Sequence, residues 1–189
     1  VLLLDDMIML SEADEFVYHE MITHPVLSIH PNPNHVLIIG GGDGGTAREV
    51  VKHPSVKTVD VVEIDRKVTE VCKQFFPEMH GFNHPAVTVL HADGFGYLND
   101  TDKIYDVIIV DGSDPVGPAK KLFTAEFYQK CSDKLTSKGL LVTQSESPWL
   151  RKYQPVIRDV YKTLSTHFPV VNLYLCHIPL YPTGMWSMM

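Results

Sequence analysis

Between residues 38 and 49 the chain reads IIGGGDGGTARE, with a single aspartate, Asp43, among five glycines. A glycine turn that leads from strand to helix lets backbone N–H groups approach a phosphate or carboxylate closely. A carboxylate inside that turn repels such a ligand, so Asp43 is expected to face a cationic group. Other acids recur where apolar runs end: Glu63 and Asp65, then Asp93, then Asp111 and Asp114, and finally Glu146 with its polar neighbour Gln144. Polar loops and helix caps account for any one of these. Acids at five successive strand ends on one rim of a sheet point to a cation-collecting site.

Gly40, Gly42 and Gly45 fit the spacing G-x-G-x-x-G, and Glu63 stands near the distance expected of an acid that accepts both ribose hydroxyls. Asp93-Gly94 offers an acceptor for an exocyclic amine and a glycine that lets a ring approach the backbone; the plainer alternative for Asp93 is a helix N-cap. In DGSDPVGPA (111–119) two carboxylates lie three residues apart in a loop stiffened by Pro115 and Pro118. Clustered anions need a cation to offset their repulsion. A metal is one such cation, although no histidine or further acid stands nearby at ligand-like spacing, and an organic polycation serves equally well; no metal ligand is singled out.

These residues need a scaffold that brings strand ends together. The runs 35–40, 58–65, 86–93, 105–111 and 139–146 are rich in Val, Ile and Leu with little polar alternation, which predicts strands buried on both faces of a parallel sheet. Helix-sized gaps separate them. Val68, Val71, Cys72, Phe75 and Phe76 form one stripe ending before Pro77; Tyr153, Val156, Ile157, Val160, Tyr161, Leu164 and Phe168 form another; Thr124 is placed to cap a helix running to about Lys134. Strand and helix in alternation predict an α/β fold with a doubly wound, mostly parallel sheet. Residues 1–10 are expected as a strand or hairpin arm, SEAD (11–14) as a capping box, 15–24 as a helix stopped by Pro25, and 170–182 as an edge strand entering a Pro-bounded loop.

With 189 residues and 44% hydrophobic content the chain suits one globular domain. Its formal net charge of −7 argues against a general nucleic-acid binder. Cys72, Cys131 and Cys176 are odd in number and lie in apolar stretches, so buried free thiols and a reducing, cytoplasmic setting are expected. No apolar run reaches the roughly 18 residues of a membrane span. The chain opens on Val and closes on GMWSMM, a strand cut short, as expected for a piece of something longer. Trp149 and Trp186 are expected to be packing groups, with Trp186 a candidate for shaping one end of the site.

DEFVYHEM (14–21), VLIIGGGDGGTAREV (36–50), VEID (62–65), DGF (93–95), DGSDPVGPAKKLFTAEFY (111–128), QSESPW (144–149) and PLYPTG (179–184) together resemble the polyamine aminopropyltransferase family, the spermidine synthases in particular, in family order over nearly the whole chain. The resemblance implies a methyltransferase-like, Rossmann-like catalytic domain over 25–189, preceded over 1–24 by a remnant of an N-terminal β-rich region and a linking helix. It implies transfer of an aminopropyl group from decarboxylated S-adenosylmethionine, as co-substrate with no cofactor, to putrescine, in a homodimer or homotetramer. By the same resemblance Asp43, Gly40 and Gly42 belong to the donor site, Glu63 binds the ribose, Asp93 and Gly94 the adenine, and Pro118 lines the adenosine pocket. Tyr18, His19, Asp43, Asp111, Asp114 and Tyr181 match polyamine-holding positions, and Asp111 matches the proton acceptor.

That donor has lost its carboxylate and keeps an ammonium and a sulfonium, which gives Asp43 a purpose: it attracts this donor and repels the intact one. An alkylamine must lose a proton before it attacks, and a solvated carboxylate is a weak base for that, so burial is expected to raise the proton affinity of Asp111. Tyr18 and Tyr181 offer hydroxyls and ring faces to ammonium groups, or else serve as core aromatics; His19 either contacts the amine or packs on its helix. The chain departs from the family's usual pattern with Met9 in place of Gln, Gly112 in place of Ser, which is expected to loosen the acidic loop, and Asp5-Asp6 in place of Asp-Gly, which is expected to bring strain or a different turn type. Competing readings are an S-adenosylmethionine-dependent methyltransferase, a nicotinamide-dependent dehydrogenase and a noncatalytic polyamine-binding paralogue.

Overall fold

The computed structural model describes residues 1–4, 6–113 and 117–189, except for the side chain of Pro118. The expected Asp5-Asp6 turn is thus described only from Asp6, and Asp114 lies outside the described residues. In chain order the elements are β1 (Leu2–Leu4), β2 (Met7–Leu10), α1 (Glu15–Ile29), β3 (His35–Gly40), α2 (Gly45–Val50), β4 (Thr58–Glu63), α3 (Arg66–Phe75), β5 (Val87–His91), α4 (Gly94–Asp100), β6 (Tyr105–Asp111), α5 (Ala125–Asp133), β7 (Leu135–Thr143), α6 (Gln154–His167), β8 (Tyr174–His177) and β9 (Met185–Met188).

Five strands form one parallel sheet in the order β5-β4-β3-β6-β7. Chain order reverses between β3 and β6, where Gly40 pairs with Asp111; an open α/β sheet binds ligands at such a reversal, beyond the strand ends. Alternate residues of β3 feed opposite cores. Val36 and Ile38 pack with Ile22 and Val26 of α1 and Ala47 and Val50 of α2. Leu37 and Ile39 pack with Leu98 of α4, Phe127 and Cys131 of α5, and Val160 and Leu164 of α6. Both faces are dry, which explains why the strands carry so little polar alternation. The doubly wound, mostly parallel sheet expected from the sequence is the fold observed.

The ends add antiparallel pieces. β1 and β2 form a hairpin, with Asp6 in its turn at φ 64. β8 and β9 form a second, and Met188 bridges to Gln144 just past β7. The segment expected as one edge strand over 170–182 is therefore shorter and paired with the chain's final strand.

Helix α1 does not stop at Pro25 but continues to Ile29. Proline removes the N–H that would bond the carbonyl four residues back, at Met21. The Tyr174 hydroxyl donates to that carbonyl at 2.8 Å, so the break is repaired from β8. The helix thus carries the chain continuously across residues 24 and 25. The expected capping box also differs: Ser11 Oγ donates to Asp14 Oδ1 and accepts from Ala13 N, while Asp14 Oδ2 accepts from Leu180 N. Thr124 caps α5 as expected, accepting from Phe127 N. β7 begins at Leu135 rather than near Gly139, with a register shift opposite β6.

Candidate active site

Two glycines of the turn after β3 are dictated by what comes close to them. A side chain on Gly40, at φ 86, would strike the backbone carbonyl of Asp111; one on Gly42 would lie 2.7 Å from the Glu63 carboxylate. Two backbone donors of this turn serve the chain's own acids: Gly42 N donates to Glu63 Oε2 at 3.1 Å and Gly45 N to Asp43 Oδ1 at 2.7 Å. A phosphate would have to displace these carboxylates.

Asp43 Oδ1 also lies 3.2 Å from His19 Nε2, and the other ring nitrogen, Nδ1, lies 2.5 Å from Glu15 Oε2. His19 is buried. Burial opposes its charge, but the carboxylates of Asp43 and Glu15 prevail and hold its pKa up at about 10, so it is an imidazolium at neutral pH. Arg48 closes the other side of Glu15, with Nη1 2.8 Å from Oε1. One imidazolium is therefore shared between two acids. Among the described residues, Asp43 Oδ1 takes both the Gly45 N–H and the His19 contact.

Asp111 ends β6 at the sheet reversal. Tyr18 from α1 donates its hydroxyl to Oδ1 at 2.7 Å, and Thr46 from α2 donates to Oδ2 at 2.6 Å. Burial and the nearby Asp43 carboxylate raise the proton affinity of Asp111; His19 and the two hydroxyls counter only part of that rise. The direction matches the expectation for a carboxylate that accepts a proton. Burial and Asp111 together push the Tyr18 phenol well above its ordinary range, so it stays a donor.

Glu15, Tyr18, His19, Asp43 and Asp111 line a cavity of about 650 Å³, within the usual size range of small-molecule sites. Glu63, Asp93 and Gly94 stand on its β4 and β5 side. Glu63 Oε1 also accepts from Asp65 N, and burial raises its proton affinity. Asp93 is the N-cap of α4, with Oδ1 accepting from Phe95 N, so the plain role and a place on the cavity wall coexist. Asp65 caps α3 in the same way.

The opposite wall is aromatic. Tyr181 has its ring centre 6.0 Å from that of Tyr18 and 4.9 Å from that of Trp186, and its hydroxyl donates to the Met9 carbonyl. Trp186 Nε1 donates to Gln144 Oε1, and Gln144 Nε2 donates to the Gly112 carbonyl. That chain ties down the residue after Asp111, at the position where glycine was expected to loosen the loop.

The structure brings Gly40, Gly42, Asp43, Glu63, Asp93, Gly94, Asp111, Tyr18, His19 and Tyr181 to this one cavity. Gly117 and Ala119 also line it, while the expected contributions of Asp114 and the Pro118 side chain lie outside the described residues. Trp149, expected to pack, is instead 64% exposed. Sequence reasoning missed Thr46 and the Gln144–Trp186 link. The only signal for Thr46 was a hydroxyl residue one place beyond the glycine turn.

Fold and site define a methyltransferase-like α/β protein whose cavity is lined with acids. Residues 15–189 match the family model of the spermine/spermidine synthase domain. Polyamine aminopropyltransferases from Shouchella clausii (strain KSM-K16) and Bacillus subtilis (strain 168) are 48% and 47% identical over 188 residues, 99% of this chain and 68% and 67% of theirs. A crystal structure of a spermidine synthase in complex with the transition state analogue AdoDATO superposes with a TM-score of 0.94 at 41% identity, covering 98% of this chain and 64% of that one. The spermidine synthase from Thermotoga maritima gives 0.90 at 40% identity, over 98% and 62%. The chain belongs to the spermine/spermidine synthase family. It spans about two thirds of the length of its curated relatives and slightly less of the two solved structures.

Proposed function

We propose that this chain is the catalytic part of an aminopropyltransferase that moves the aminopropyl group of decarboxylated S-adenosylmethionine onto putrescine, releasing spermidine and methylthioadenosine. The observation that carries the reading is the placement of Asp111, a buried carboxylate of raised proton affinity, between the anionic glycine turn and the aromatic wall. The donor's nucleoside lies along Glu63, Asp93 and Gly94, and its ammonium faces Asp43. The amine lies along Tyr18 and Tyr181, with His19 fixing the carboxylates around it. The amine nitrogen attacks the methylene next to the sulfonium, the C–S bond breaks onto sulfur to give a neutral thioether, and the nitrogen's proton passes to Asp111. The sulfonium supplies the leaving group, so no cofactor takes part, and alignment of the two substrates supplies much of the acceleration.

We place the protein in the cytoplasm, as a dimer or tetramer. Its three cysteines are free and buried, and among the described residues no helix is long and apolar enough to cross a membrane. The test is to supply decarboxylated donor with putrescine, spermidine, cadaverine and agmatine and measure methylthioadenosine. Release with putrescine foremost is expected. Product from intact S-adenosylmethionine, or none with any amine, overturns the reading.

A further inference from the structure

Asp111 receives one hydroxyl on each oxygen, and the two donors are not equivalent. Tyr18 lines the cavity and can meet an amine there. Thr46 is fully buried, is not among the described residues that line the cavity, and meets Asp111 Oδ2 through a 2.6 Å hydrogen bond. That same oxygen lies over the glycine turn, where a side chain on Gly41 would come within 3.0 Å of it. Oδ2 is thus enclosed between α2 and the turn, and Oδ1 stands on the Tyr18 side.

We infer that Thr46 is a positioning residue for the transfer: by anchoring Oδ2 it fixes the orientation of the Asp111 carboxylate and leaves Oδ1 to receive the amine's proton. This rests on the function proposed above. In the balanced step the amine lone pair forms the new C–N bond, the C–S pair goes to sulfur, and the N–H proton goes to Oδ1. Among the described residues, the charged and titratable groups facing Asp111 include Asp43 from the glycine turn, Glu63 from β4, and Tyr18 and His19 from α1, with Tyr181 packed against Tyr18. The acids favour protonated Asp111, and His19 with the two hydroxyls favours the carboxylate. A base must begin unprotonated, so loss of a hydroxyl donor tips the balance the wrong way.

The experiment compares Thr46→Val, which keeps the shape and removes the donor, with Thr46→Ser, which restores it. In the valine variant the acid limb of kcat/KM for aminopropyl transfer is expected to move up by about one pH unit. Its kcat is expected to fall more than the amine KM rises, and serine is expected to return both. A ¹³C-carboxyl NMR titration of Asp111 without substrate is expected to show the same upward shift. If Val does not fold, Thr46→Ala, which also lacks the donor, takes its place. An unmoved limb and titration overturn the inference, even if kcat drops, because packing alone explains that. If the parent protein transfers nothing to any amine, the proposed function has failed, and the NMR titration still decides whether Thr46 anchors Asp111.

Discussion

His19 Nε2 stands 3.2 Å from Asp43 Oδ1 while its Nδ1 stands 2.5 Å from Glu15, so the anion of the glycine turn is held by a buried imidazolium that it shares with a second acid. Arg48 meets Glu15 from its other side, so the two acids are matched by two cations and the His19 imidazolium offsets the charge of Asp43. The turn can therefore carry Asp43 without leaving a buried charge uncompensated.

A pH window for stability follows from that pairing. The His19 pKa is raised to about 10 in the folded chain from an ordinary 6.5. Its contribution is complete below pH 6.5 and is lost as pH climbs toward 10, because only the folded state holds the proton there. Thermal midpoints of the parent should fall across this window relative to those of His19→Gln. Parallel curves for the two proteins would show that the imidazolium is not formed.

Asp111→Asn removes the proton acceptor while keeping its shape. Turnover is expected to fall by about 10²-fold or more, the usual weight of a general base, with donor affinity little changed. Single-turnover kinetics with both substrates bound checks this; a loss of only a few-fold means that another group takes the proton.

Tyr174→Phe leaves the Met21 carbonyl without the donor that replaces the missing Pro25 N–H. A cost of about 1–2 kcal/mol is expected in denaturant unfolding. In a Pro25→Ala background the helix supplies its own N–H, and the same change should cost measurably less. Equal costs in both backgrounds contradict the repair.

Asp6 sits at φ 64, where a side chain is strained and glycine is not. Asp6→Gly is expected to stabilise the hairpin turn by up to about 1 kcal/mol, read as a rise in the unfolding midpoint with unchanged slope. A fall in stability shows that the aspartate side chain contributes more than its backbone strain costs.

The sheet was legible because burial on both faces leaves its strands as bare Val and Ile runs, and because α3, α5 and α6 announce themselves by stripes or caps. The site residues were legible as acids and aromatics at strand ends, read with a family pattern in mind. Contacts between distant parts of the chain were not. Nothing local marks Tyr174 as the partner of a carbonyl 153 residues away, so Pro25 reads as a stop. Thr46 likewise meets Asp111 across 65 residues, and only the folded sheet reversal brings them together. The charge on His19 was also hidden, since it depends on two acids from separate elements converging on one ring.

Donor discrimination tests the central claim most directly: the anionic turn selects the donor that lacks a carboxylate. Calorimetric titration of the parent protein and Asp43→Asn with decarboxylated and intact S-adenosylmethionine measures it. The parent is expected to bind the decarboxylated donor and reject the intact one, and the variant to narrow that ratio by about tenfold or more, or roughly 1.4 kcal/mol. Equal affinity of the parent for both donors, or a ratio untouched by the substitution, would contradict the account.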